Sequence, residues 1–107
     1  MSQPARYPQT IEPARAWLTE ALCASPLYEG RRDLWFPTTG DKSSAREAKQ
    51  VCVACPARLA CLTDALREEG GRGHESRFGI RGGLSGKARR NLYDRNRARQ
   101  ARQEAAA

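Results

Sequence analysis

Apolar residues in this chain recur at helical spacing in short bursts, and nowhere alternate long enough to read as a strand. In PARAWLTEALC, residues 13–23, Trp17, Leu18, Ala21 and Leu22 share one face and predict a short first helix finishing on Cys23. SPLYEGRRDLWFPTTGD then loses the period at Pro26, Gly30, Pro37 and Gly40, and reads as an irregular connection carrying Leu34, Trp35 and Phe36. Ser44-Ala-Arg-Glu47 has the form of a capping box and predicts a second helix over about 45–54. Pro56 cannot continue that helix, but it suits the first turn of a third. The stripe of that helix is Leu59, Leu62, Ala65 and Leu66, and its end is expected at Gly70-Gly71.

GGRGHESRFGIRGG has no period and reads as a loop ending in a tight turn over Gly79 to Gly83. Ser85 is placed to cap a last helix whose apolar stripe is only Leu84, Ala88, Leu92 and Tyr93. The expected class is therefore all-α. The expected organisation is a loose lead-in over 1–12, a helical domain over 13–84 including the glycine turn, and a basic C-terminal helix over 85–107.

Composition makes this core thin. Leu, Ile, Val and Phe number 15 of 107 residues while alanine alone supplies 17. That share lies below the roughly 20% under which charged chains tend toward disorder. A small chain with so little apolar volume needs a disulfide set, a metal or a partner to hold it. No signal-like or membrane-length apolar run is present, so a soluble cytoplasmic protein is expected, where standing disulfides are rare.

Four cysteines are available, Cys23, Cys52, Cys55 and Cys61, in the pattern C-x28-C-x2-C-x5-C. Cys52 and Cys55 share one helix face, Pro56 turns the chain, and Cys61 can face back from the next helix. Three uses fit this spacing. An iron–sulfur cluster takes all-cysteine ligation and often has a proline directly after a ligand, as at Cys55-Pro56. Zinc accepts four thiolates but usually through paired C-x2-C knuckles. The C-x-x-C pair could also cycle as a dithiol and disulfide, although the βαβ setting usual for that chemistry is missing. His74, the sole histidine, lies in the polar glycine loop and reads as solvated.

The charge is lopsided. Residues 1–71 carry nine basic and nine acidic side chains, and residues 72–107 carry ten and three, which accounts for the whole net charge of +7. Such a basic arm is suited to phosphate. Lys87, Arg89, Arg90, Arg95, Arg97, Arg99 and Arg102 are its candidate nucleic-acid contacts, with salt-sensitive and largely sequence-independent affinity expected. Arg72-Gly73, followed by histidine, is a poor minor-groove hook. Gly86-Lys87 is not a phosphate loop, since Arg81 and Ala88 occupy the positions that need glycine and Ser or Thr. No grouping of Asp, Glu, Ser and His suggests a catalytic set, so an enzyme is not expected.

The order of Cys23, Trp35-Phe36-Pro37, Cys52-x2-Cys55-x5-Cys61, a Gly-Ile-x-Gly-Gly turn at Gly79 to Gly83 and a basic final helix resembles the WhiB-like proteins of actinobacteria and their phages. The resemblance runs from about Cys23 to Arg102. It implies a [4Fe-4S] cluster held by the four cysteines and sensitive to oxygen and nitric oxide. It also implies transcriptional regulation through the C-terminal domain of the principal sigma factor of RNA polymerase, with the basic tail on DNA. Trp35, Phe36, Pro37, Gly79, Ile80, Arg81, Gly82 and Gly83 are then the candidate partner-binding residues, while the helical stripe already accounts for Trp17. Two departures stand out. Arg81 occupies the position where the family commonly has the tryptophan associated with the sigma contact, and the loop from Gly70 to Phe78 is longer than usual.

Overall fold

The computed structural model describes residues 13–106. The lead-in expected over 1–12 lies outside the described residues. Three α-helices dominate: α1 (Lys42–Ala54), α2 (Arg58–Glu69) and α3 (Gly86–Ala106). Among the described residues the only extended pairing is an isolated bridge between Arg81 and Leu84. The all-α class holds.

The first segment is not an α-helix. It is a series of 3-10 turns over Pro13–Glu20, Leu22–Ala24, Pro26–Tyr28 and Arg32–Trp35. The break comes at Ala21, which is extended at φ −70° and ψ 120°. The amide of Leu22 consequently donates to Cys55 Sγ at 3.4 Å instead of continuing a helical ladder. Prolines and glycines keep each later turn short.

α1 starts earlier than the capping box implied. Asp41, not Ser44, is the cap, and its carboxylate accepts from the Ser44 amide at 3.1 Å. That hydrogen bond from the Ser44 amide, helped by the Ser44 hydroxyl, holds the Asp41 carboxyl below its ordinary range. Glu47, freed from any capping role, pairs with Arg31 at 2.9 Å. The helix ends because Cys55 precedes a proline and is driven to extended geometry, φ −79° and ψ 126°. Pro56 falls just ahead of α2 rather than within its first turn, and α2 stops at Gly70, φ +52°.

Leu34, Trp35, Ala48, Val51, Cys52 and Ile80 form the buried core, with Leu22, Cys23, Tyr28 and Ala45 packed against it. Tyr28 meets Trp35 edge to face, centroids 5.5 Å apart. The glycine turn closes over this core: the Ile80 amide donates to the Trp35 carbonyl at 2.8 Å. Gly82, at φ +59°, rides so close to α2 that an added Cβ would lie 2.5 Å from Leu62 Cβ and 2.8 Å from Leu62 Cα. Gly82→Ala should therefore cost on the order of 3 kcal/mol, through left-handed strain plus overlap with a helix backbone that cannot retreat. Urea denaturation checks this, and a cost below about 1 kcal/mol would mean the turn is not held against α2.

Ser85 caps α3 as expected, its Oγ accepting from the Ala88 amide at 3.2 Å. The apolar stripe does not bury, however. Within α3 the buried residue is Arg89.

Candidate metal centre and its surroundings

The bend at Ala21, the proline stop after Cys55 and the first turns of α2 bring all four cysteines to one cavity. Its wall is completed by Trp17, Ala21, Trp35, Val51, Ala57, Arg58 and Gly82. No carboxylate or imidazole lines it.

Each sulfur but one has a named N–H neighbour. Cys52 Sγ, buried, accepts from Trp35 Nε1 at 3.5 Å. Cys55 Sγ accepts from the amides of Leu22 and Ala57, both at 3.4 Å. The Gly82 amide faces Cys61 and favours its thiolate. Arg58 lies over the same wall, its Nε donating to the Gly82 carbonyl at 3.4 Å. All four cysteines are free thiols. Burial pushes the Cys23 thiol up, and so do the negative charges that Cys61, Cys52 and Cys55 would carry. Burial raises Cys61 as well, against the opposing pull of the Gly82 amide and the Arg81 guanidinium. The mutual repulsion of four thiolates needs a cation among them to relieve it.

An all-sulfur donor set with N–H groups on the sulfurs and nearby guanidinium charge fits a soft metal or an iron–sulfur cluster. Among the described residues, no three of His, Cys, Asp and Glu converge closely enough to chelate a single metal ion.

The residues read as partner-binding divide. Trp35 is buried beneath the cavity and Ile80 is buried in the core, while Phe36 is 64% exposed and Pro37 half-buried. Phe36, Trp17, Leu18, Ile80 and Arg81 share an open, mainly apolar groove of about 330 Å³ beside Cys23 and Cys61. Arg81 does not swing free over it. Its guanidinium pairs with Glu68 at 2.7 Å and Asp64 at 3.2 Å on α2.

Of the basic-arm candidates, Lys87, Arg95, Arg97, Arg99 and Arg102 are exposed. Arg90 is half-buried and donates to the carbonyls of Gly71 at 2.6 Å and Arg72 at 3.0 Å. Arg89 leaves the set altogether, being fully buried. Its donors go to Glu69 Oε1 and Oε2 at 2.9 and 2.8 Å and to the carbonyls of Phe78, Gly79 and Leu84 at 3.0, 2.9 and 2.7 Å. All five guanidinium N–H groups are thereby used, so no donor is left for phosphate.

Glu69, Arg77 and Arg58 were not singled out from the sequence. Glu69 ends α2 and also pairs with the buried Arg77 at 3.0 Å. Arg77 in turn donates to the carbonyls of Arg72 and Gly70. Nothing in a run of charged helix residues distinguishes the one acid that will be buried. Among the described residues no helix is long and apolar enough to cross a membrane.

Comparison with known proteins adds an independent line. A family model described as "Transcription factor WhiB" matches residues 17–92. The chain is 40% identical over 91 residues to the transcriptional regulator WhiB2 of Mycobacterium tuberculosis, covering 83% of this chain and 89% of that protein. It is 45% identical over 76 residues to the transcriptional regulator WhiB of Streptomyces coelicolor, covering 71% and 74%. Against WhiB2 of Bifidobacterium longum the identity is 38% over 84 residues, covering 78% and 73%. The matched residues enclose the cysteine cavity, the glycine turn and the docked half of α3, and on that agreement the chain belongs to the WhiB family of transcription factors.

Proposed function

We propose that this chain is a transcriptional regulator whose four cysteines hold a [4Fe-4S] cluster and which acts through the C-terminal domain of a sigma factor and through DNA. The observation that carries the reading is the gathering of Cys23, Cys52, Cys55 and Cys61 around one cavity lined by no other ligand type. When bound, such a cluster supplies a centre that oxygen and nitric oxide can attack. The chain's own residues do the rest: Trp35 and the amides of Leu22 and Ala57 donate to the sulfurs, and the Gly82 amide and the Arg81 guanidinium favour negative charge on Cys61. The homologues are named transcriptional regulators, which accords with a role other than catalysis and with action in the cytoplasm.

The exposed Phe36 and the groove beside Cys23 and Cys61 are the surface we assign to the sigma factor. Arg81, tied to α2, narrows the part of that surface where a tryptophan would stand in many relatives. Capture of anaerobically purified protein by a sigma-factor C-terminal domain should weaken about tenfold or more for Phe36→Ala, and Arg81→Trp should tighten it. No capture of the unaltered chain would overturn the sigma reading.

DNA is assigned to the exposed part of α3. Truncation after Asp94 retains Arg89 and Arg90 but removes Arg95, Arg97, Arg99 and Arg102. Loss of four phosphate contacts should flatten the plot of log affinity against log salt by about 3.6. An unchanged slope would remove the arm from the DNA interface.

A further inference from the structure

The cations of α3 are sorted by helix geometry into two sets with different tasks. Arg89, Leu92 and Tyr93 mark the side that faces the body. There Arg89 is buried, and the Tyr93 ring lies 5.5 to 5.9 Å from the guanidinium carbons of Arg77, Arg90 and Arg97. At 3.6 residues per turn, Lys87, Asn91, Arg95, Ala98 and Arg102 fall within about 80° of one another, on a face about 150° away from that docking side. Arg99 lies about 40° beyond the edge of this stripe, toward Leu92.

Every one of these residues is exposed, and from Asp94 to Ala106 the whole helix is exposed. The outer half therefore projects beyond the body, with its free face turned away from it. The stripe itself carries no acid. Asp94 flanks it but is ion-paired with Arg90 at 3.2 Å, and Glu104 lies well round the helix. From Lys87 to Arg102 the stripe is about 22 Å long at 1.5 Å per residue, and a bare α-helix is what the major groove of duplex DNA admits.

Within the stripe, Asn91 and Arg95 sit one turn apart, and Ala98 follows. An asparagine amide can pair with adenine and an arginine fork with guanine at their major-groove edges, and a small alanine lets the helix approach closely. We infer that α3 enters the major groove of duplex DNA by this face, with Asn91 and Arg95 at base edges and Lys87, Arg99 and Arg102 on flanking phosphates. This deepens the DNA assignment above and rests on it. It also gives the arm a sequence preference that its charge alone would not.

The test uses the full cluster-loaded chain and a pool of random-sequence duplexes from which bound DNA is recovered and sequenced. The unaltered chain should enrich sites with fixed purines at one or two positions. Asn91→Ala should lose that enrichment at one position while keeping the same salt slope. The triple variant Lys87→Ala, Arg99→Ala, Arg102→Ala should bind every duplex more weakly, with a slope smaller by about 2.7. Methylation of guanine N7 should weaken binding, and a ligand filling the minor groove should not compete. If Asn91→Ala enriches the same sites, or if the minor-groove ligand displaces the chain while N7 methylation has no effect, the inference is overturned and the DNA assignment stands. If the unaltered chain binds no duplex, both fall.

Discussion

Replacing Arg89 by alanine should lower the unfolding free energy by about 3–5 kcal/mol, the usual result of removing one partner from a buried ion pair. Although it lies in the densest run of positive charge, Arg89 is the residue that fastens α3 to the rest. It satisfies both oxygens of Glu69 at the end of α2 and three carbonyls, of Phe78, Gly79 and Leu84, in and beside the glycine turn. Its loss leaves the Glu69 carboxylate with Arg77 at 3.0 Å and a longer contact to Arg81 at 3.8 Å, and takes a donor away from each of those carbonyls. Arg89→Lys should recover little, because three donors on a point charge cannot replace five in a fixed fork. Urea denaturation of the proteins purified without oxygen measures the change, and a loss below about 1 kcal/mol would contradict the clamp.

The same clamp sets a response to acid. Burial alone would raise the Glu69 carboxyl, but hydrogen bonds and charge from Arg89 and Arg77 outweigh burial and hold it below the ordinary carboxylate range. A carboxyl depressed in the folded state adds stability that is fully present above its unfolded pKa and disappears as pH falls through the folded value. Stability should therefore decline below about pH 4, near the ordinary glutamate pKa. The Glu69→Gln variant, weaker from the outset, should show a shallower decline.

Stripping the proposed metal centre should have a still larger effect. Among the described residues the contiguous buried cluster holds only six side chains, and one of them, Cys52, is a candidate ligand. Metal–thiolate binding in small domains supplies on the order of 10 kcal/mol of folding energy, comparable with the whole stability of such a chain. Chelation under anaerobic conditions, or Cys61→Ala, should therefore abolish most of the helical circular dichroism of α1 and α2. Helicity that survives unchanged would mean that the clamp and the apolar core suffice without the centre.

The sequence pattern conveyed α2, α3 and the cap at Ser85 because each rests on local signals: an apolar period, a stopping glycine and a capping hydroxyl. It misjudged features decided by distant partners. The first segment has helical spacing, yet the chain bends at Ala21 and the Leu22 amide goes to Cys55 Sγ, thirty-three positions away. Ser44 and Glu47 fit a capping box, but Asp41 lies one turn earlier and takes the amide first. Four cysteines were readable as a group because few chemistries use that residue type in such a spacing, and the fold lines one cavity with them. Arg89 was not readable as a clamp, because within the sequence it is one arginine among many and only the fold brings Glu69 to it. The loop from Gly70 to Phe78 is fastened by Arg77 and Arg90 through carbonyl groups, which carry no sequence signature at all.

All of this depends on what the four thiols hold, and one measurement addresses that directly. Protein purified without oxygen is analysed for iron, acid-labile sulfide and zinc, with its visible absorption recorded. We expect a brown protein with about four iron and four sulfide per chain, lost together when Cys61 is replaced by alanine. A colourless protein carrying one zinc and no sulfide would contradict the [4Fe-4S] assignment and leave a zinc-stapled nucleic-acid-binding module in its place.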